Sequence, residues 1–246
     1  MRATRNGARL AIGVAAVLLM TACGDDDNDS ASQATTTVAP TTSTTLSQIQ
    51  LDKQKAQRVV LTGADVPGFT AKAPDTNPDD AELEAAANAC VNNNPLVIRL
   101  GSTDDQRGTS SPQFSKGATL EVGSSMTFGD TEDQTRTAIA DVSGTSYGSC
   151  FSKANAATIR KLPGVTNVTA ATTKLPALTV GEQSIGYRTV TTFRAQGQTV
   201  TINSDFTFIR VGRGLAELDT HSSPAGFPEA ERVRLATTLA ARMAAP

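Results

Sequence analysis

Apolar and polar positions alternate most clearly in the last third of the chain. Val200, Ile202, Phe206 and Phe208 share one phase, with Thr201, Asn203, Asp205 and Thr207 opposite, which predicts a strand. Ile185, Tyr187 and Phe193 fall in one phase of the run before it, and Ala195-Gln-Gly-Gln198 between them has the composition of a hairpin turn. Gly212-Arg-Gly214 reverses the chain into a further strand over 215–221. Earlier, Leu120, Val122, Ser124, Met126 and Phe128 alternate with their neighbours, and 168–175 also reads as a strand. Helical spacing governs other segments. Ile49, Ala56, Val59 and Val60 give a modest stripe over 47–61, and Val233, Ala236, Leu239, Ala240 and Met243 a stronger one over 228–244. Further helices are predicted over 77–91, started by Pro78 and acidic residues, over 131–142 behind an Asp130 cap, and from Cys150 to about 162. Pro67-Gly68 marks a turn, and 102–111 reads as a loop.

Early helices, a central strand, an antiparallel meander and a terminal helix predict an α+β fold. The expected form is a single domain, about 47–246, with a curved antiparallel sheet and helices packed on one face.

The N-terminal region has a different pattern. Arg2, Arg5 and Arg9 precede an apolar run, Leu10 to Met20, which is followed by Thr21-Ala22-Cys23. A basic start, a short apolar middle and small residues before a cut describe an export signal over 1–22. The run is too short for the ~20 residues of a membrane-crossing helix. With Cys23 at the first mature position it resembles a bacterial lipoprotein signal, in which the thiol is lipidated by acyl groups such as palmitate. Met20 and Thr21 keep the size and polarity of the usual Leu-(Ala/Ser)-(Gly/Ala)-Cys pattern. An ordinary secretory signal is the alternative. The expected location is therefore the outer face of the cell membrane.

Residues 24–46 are rich in Asp, Thr, Ser and Pro and poor in large apolar side chains, which predicts a disordered tether. As a flexible coil it would average roughly 25–30 Å end to end. Its threonine run, 35–45, resembles the O-glycosylated stalks of exported actinobacterial proteins. The run Asp25, Asp26, Asp27, Asp29 reads as a solvated spacer; an EF-hand loop would need a Gly and a Glu that do not fall correctly.

Removing 1–22 takes away three of 22 basic residues and no acidic ones, leaving 19 against 24. Four of those acids adjoin Cys23, so the remainder is close to neutral. That balance gives no electrostatic footprint for nucleic acid and no attraction to anionic lipid, so the lipid on Cys23 is the expected membrane attachment. Cys90 and Cys150 remain, and two exported thiols normally pair; two separate buried thiols are the alternative.

The strand-to-helix stretch VGSSMTFGDTEDQTRTAIADV and the hairpin FTFIRVGRGLAELDTH, with the lipidated start, stalk and cysteine pair, resemble actinobacterial cell-envelope lipoproteins. Within that group the order of elements is similar to the extracellular sensor domains of mycobacterial receptor Ser/Thr kinases. Those domains usually carry two disulfides and tryptophans, whereas this chain has one cysteine pair and no Trp. The resemblance implies a sensor-like module and carries over no catalytic residue.

Candidate chemistry is sparse. Glu217, Asp219 and His221 fall at i, i+2 and i+4 and project from one face of a strand, where they would suit a divalent metal or acid–base work. The simpler expectation is the solvated face of an outer strand, with Ala216, Leu218 and Thr220 inward. A single histidine leaves one possible imidazole base, and Ser152-Lys153 lack Ser-x-x-Lys spacing. Arg188, Arg194, Arg210 and Arg213 would make an anion-binding patch if they converged, and Phe206 and Phe208 are expected in the core. No catalytic, metal or cofactor site is assigned and no ligand-binding residue is fixed. The expected function is a non-enzymatic, lipid-anchored binding or sensor-like module that meets an envelope protein, lipid or glycan. A structural or assembly factor of the envelope is the alternative, and a hydrolase with an unrecognised site a third.

Overall fold

The computed structural model describes residues 46–72, 86–100, 102 and 105–246. The signal, Cys23 and the first part of the helix expected over 77–91 lie outside the described residues, as does the tether apart from Leu46.

The strands form one open antiparallel sheet. They are β1 (Thr70–Lys72), β2 (Thr109–Ser110), β3 (Gln113–Lys116), β4 (Leu120–Phe128), β5 (Val165–Lys174), β6 (Gln183–Ala195), β7 (Gln198–Val211) and β8 (Gly214–Ser222). Their order is β1-β3-β4-β8-β7-β6-β5, with the short β2 also on β4. The α+β class and the antiparallel sheet agree with the hydropathy pattern. Gln196 and Gly197 both take positive φ (52° and 79°), which gives the β6–β7 hairpin a turn whose twist matches the strands it joins.

The helices are α1 (Gln48–Val59), α2 (86–90), α3 (Pro95–Arg99), α4 (Glu132–Ser143), α5 (Tyr147–Ile159) and α6 (Glu229–Ala244). They pack on both faces of the sheet, not on one as expected, because the central strands carry apolar residues in both phases. Ala56 and Val59 of α1 and Leu235, Ala236, Leu239 and Met243 of α6 lie against Val122, Met126, Ile209, Ala216 and Leu218. Ala138, Ile139 and Val142 of α4 and Tyr147 and Phe151 of α5 pack with Ile185, Tyr187, Phe208 and Leu215. Period-2 alternation makes this possible. On β8, Ala216, Leu218 and Thr220 are fully buried on one side while Leu215, Glu217, Asp219 and His221 look to the other.

Local signals set the helix ends. Ser47 and Gln50 form a reciprocal capping box at the start of α1. Thr131, not Asp130, caps α4 by accepting from the Gln134 amide, and α5 begins at Tyr147, three residues before Cys150. Asn92 and Asn93 take positive φ after α2, and Asn94 then caps α3. Cys90 and Cys150 are joined, with Cα atoms 5.6 Å apart, so α2 is tied to α5.

Two buried ionic groups do not follow the apolar stripes. Arg232 lies on the buried face of α6, where Val233 was expected to pack; its Nη1 donates to Thr207 Oγ1 at 3.0 Å and its Nε to Glu229 at 3.0 Å. Asp52 is buried on α1 and accepts from Gln48, Arg107 and Arg213 at 2.8–2.9 Å. Burial alone would raise its pKa, but these donors outweigh it and hold the carboxyl below its usual value. Asp52→Ala should destabilise the protein by about 3 kcal/mol, the low end for a broken buried pair. Arg107 still keeps Asp130, and Arg213 keeps the Gly129 carbonyl. Urea titration at pH 7 measures this, and a change below about 0.5 kcal/mol, the scale of an ordinary surface substitution, would assign Asp52 no clamping role.

Candidate functional site

β8 is not an outer strand. It lies between β4 and β7, so Glu217, Asp219 and His221 form the middle column of a three-strand floor rather than a solvated edge. From β4, Ser125 lies opposite Glu217, Gly123 opposite Asp219 and Glu121 opposite His221. From β7, the matching residues are Phe208, Phe206 and Ser204. The floor is therefore small and polar on one flank and largely aromatic on the other.

Two cavities meet on this floor. The polar one, about 810 Å³, is lined by Lys53, Lys72, Thr109, Ser110, Gln113 and Ser125, among others. The apolar one, about 350 Å³, lies under Val91, Val97 and Leu100 and against Tyr147, Phe151 and Phe208. Phe206 and Glu217 line both. Phe206 is thus only partly core: one edge packs on Phe151, ring centroids 5.2 Å apart, and the rest faces the groove. Phe208 is buried, as expected.

Gly123 shapes the polar flank. A Cβ there would stand 2.0 Å from Gln113 Oε1, so its absence lets Gln113 lie across β4. Gln113 Nε2 then donates to Asp219 Oδ2 at 3.2 Å. The other Asp219 oxygen lies 2.9 Å from His221 Nε2, and His221 Nδ1 is 2.9 Å from Ser204 Oγ.

Burial and mutual charge set the protonation of the row. Desolvation pushes Glu217 up to about 8, helped by Asp219 and opposed by His221. Desolvation would lower His221, but the Asp219 charge and hydrogen bond, with Glu121 and Asp205 behind them, outweigh it and raise the imidazole to about 9. Asp219 is also desolvated, and the imidazolium and Gln113 still hold it below its ordinary value. Burial, with the Glu217 charge and Tyr187 adding, raises Tyr147. At neutral pH the row therefore carries an uncharged Glu217 beside an Asp219–His221 ion pair. The Glu217 carboxyl makes no hydrogen bond to any other described residue.

Asp219, His221 and Ser204 have the connectivity of a hydrolytic triad, which sequence spacing alone did not bring together. The chemistry differs. A protonated imidazole donates from both nitrogens, so Ser204 accepts a hydrogen bond instead of losing its proton. Ser204 also sits mid-strand, paired with β6 on one side and β8 on the other, away from the turn that would present an oxyanion hole. The expectation that no Gly-x-Ser-x-Gly elbow is present needs one correction: the spacing occurs at Gly144, Ser146 and Gly148, but it joins α4 to α5 rather than a strand to a helix. The strained elbow such a motif requires is not formed there.

The arginines do not converge. Arg188 pairs with Asp205, Arg210 with Glu182 and Arg213 with Asp52, while Arg194 donates to the Gly197 carbonyl. Among the described residues no cluster of three or more His, Cys, Asp or Glu is placed to hold a metal ion. No helix among them is long and apolar enough to cross a membrane.

Comparison with known protein families, with characterised proteins and with solved structures finds no match to this chain.

Proposed function

We propose that this protein is a non-catalytic, lipid-anchored binding module on the outer face of the cell membrane, attached through a lipid on Cys23. The observation that carries the binding part is the groove. It joins an apolar, aromatic-walled compartment to a polar one, and a carboxyl that hydrogen-bonds no other described residue stands where they meet. Pockets of this size, mostly apolar with a few convergent polar groups, suit small ligands. The protonated His221 and mid-strand Ser204 speak for binding over hydrolysis. The address rests on the basic start, the apolar run and Cys23.

One measurement tests both halves: native mass spectrometry of the protein purified from its own membrane. The expected mass lacks residues 1–22, carries acyl groups on Cys23 and includes an adduct that leaves on denaturation. An N-terminus at Met1 without acyl mass would overturn the address. The absence of any adduct would favour the envelope assembly reading over the binding one.

A further inference from the structure

The charged groups around the polar compartment already have partners within the protein. Lys53 Nζ donates to the backbone carbonyls of Asp105 and Gly108, at 2.9 Å for the first. Lys72 pairs with Glu121, and Asp219 with His221. An anionic head group would have to compete with the carbonyls that hold Lys53 and with Glu121 for Lys72. A cationic one would first have to ionise Glu217, which burial raises to about 8, and would gain that much less from the contact.

The uncommitted groups are neutral hydrogen-bonders. Ser110 and Ser125, paired in register across β2 and β4, both line the compartment, and their hydroxyls make no hydrogen bond to any described residue. Ser125 is 92% buried, directly opposite Glu217 in the strand register, and faces the groove. A buried hydroxyl beside a half-buried carboxyl, neither hydrogen-bonded to a described residue, is costly unless a ligand or water supplies them. Beyond Glu217 the walls turn apolar, with Phe206, Phe208, Tyr147 and Phe151. A ligand that satisfies both compartments has an uncharged, hydroxyl-bearing head and a hydrocarbon tail.

We infer that the groove binds an uncharged glycolipid. Its sugar head lies by Ser110 and Ser125, its tail enters the aromatic compartment, and Glu217 hydrogen-bonds a head-group oxygen at the junction. This assignment rests on the binding-module reading and narrows it to one ligand class. Charge complementarity selects the head, and the aromatic walls select the tail.

The test compares three probes on the full chain, each below any micelle-forming concentration: octyl glucoside, octanoate and glucose. The chain has two tyrosines and no tryptophan, and Tyr147 lines the apolar compartment, so tyrosine emission reports occupancy. Octyl glucoside should bind at least tenfold more tightly than octanoate or glucose. Ser125→Val and Glu217→Leu should each weaken it tenfold or more while leaving octanoate within twofold. Octanoate binding as well as octyl glucoside, or better, would overturn the glycolipid assignment and leave the binding module standing. No binding of octyl glucoside would also overturn it, and the adduct in the native mass spectrum then decides the broader reading separately. The probe ranking on the unsubstituted protein stands even if either variant fails to fold.

Discussion

Unfolding free energy should fall as pH rises from about 4.5 to about 9, so that the protein is more stable in mild acid than at neutrality. Glu217 is raised from 4.5 to about 8 in the folded protein. Between those values the native state keeps a proton that the unfolded chain has lost, and stability declines as pH rises. His221 is raised from 6.5 to about 9, so its contribution is whole below 6.5 and lost as pH climbs through 9. The two windows overlap from 6.5 to 8, where the slope should be steepest. A full proton of difference corresponds to about 1.4 kcal/mol per pH unit. Water reaches the groove and a third of the His221 side chain is exposed, so the combined slope is on the order of 1 kcal/mol per pH unit. On the acid side, Asp52, Asp65 and Asp219 are all held below 3.8, and their contribution disappears as pH drops beneath that value. Urea titrations from pH 4 to 9.5 should therefore show a maximum near pH 4–5. Glu217→Gln should flatten the limb below 6.5, reduce the slope between 6.5 and 8, and keep the limb above 8. A midpoint that rises between pH 5 and 8 would show that Glu217 is ionised in the folded protein.

Replacing Cys90 and Cys150 together by alanine should cost about 4 kcal/mol. The bond spans 60 residues, and loop-closure entropy for that length sets the figure, within the usual range of about 2–5 kcal/mol. The loss also has a local component. Val91 and Leu100 lie on the segment that the bond ties to α5, and with Val97 they wall the apolar compartment. The double variant should thus lose groove binding before it loses the sheet. Chemical denaturation gives the first effect, and tyrosine emission titrated with octyl glucoside gives the second. An unchanged denaturation midpoint would mean that packing alone holds α2 and α3 in place.

The sheet was legible wherever a strand is long and has one apolar face. β4, β6, β7, β8 and the Gln196-Gly197 turn follow from alternation and turn chemistry, and α1 and α6 from helical spacing. β1 and β3 were missed because they are short, and the exposed Thr70–Lys72 has no apolar face to read. The placement of β8 was hidden for a different reason. Its pairing with β4 joins segments far apart in sequence, and such pairing leaves no local trace. Read alone, Glu217-Leu-Asp-Thr-His221 looks like the wet side of an edge, and only a neighbour on each flank turns that side into a groove floor. Asp52 escaped notice because its partners Arg107 and Arg213 are distant in sequence, and Arg232 because its Glu229 pair one turn back reads as a surface pair while Thr207 comes from β7. Gly123 carries a signal that alternation cannot interpret, since its meaning depends on Gln113 crossing from the next strand.

The clamp around α1 also fixes where the domain can bear load. Leu46 leads directly into α1, which is held by Asp52 to Arg213 and by Lys55 Nζ to the Ala245 carbonyl at 2.6 Å. Arg242 of α6 in turn donates to the Val60 carbonyl and to Asp65, just beyond α1. Tension applied at Leu46 therefore passes into α6 by shear between two helices that pack opposite the aromatic compartment, with Lys53 of α1 touching the polar one. The glutamate, histidine and aromatic floor lies outside that path, so the protein can be tugged from its N-terminal side while the groove keeps its shape.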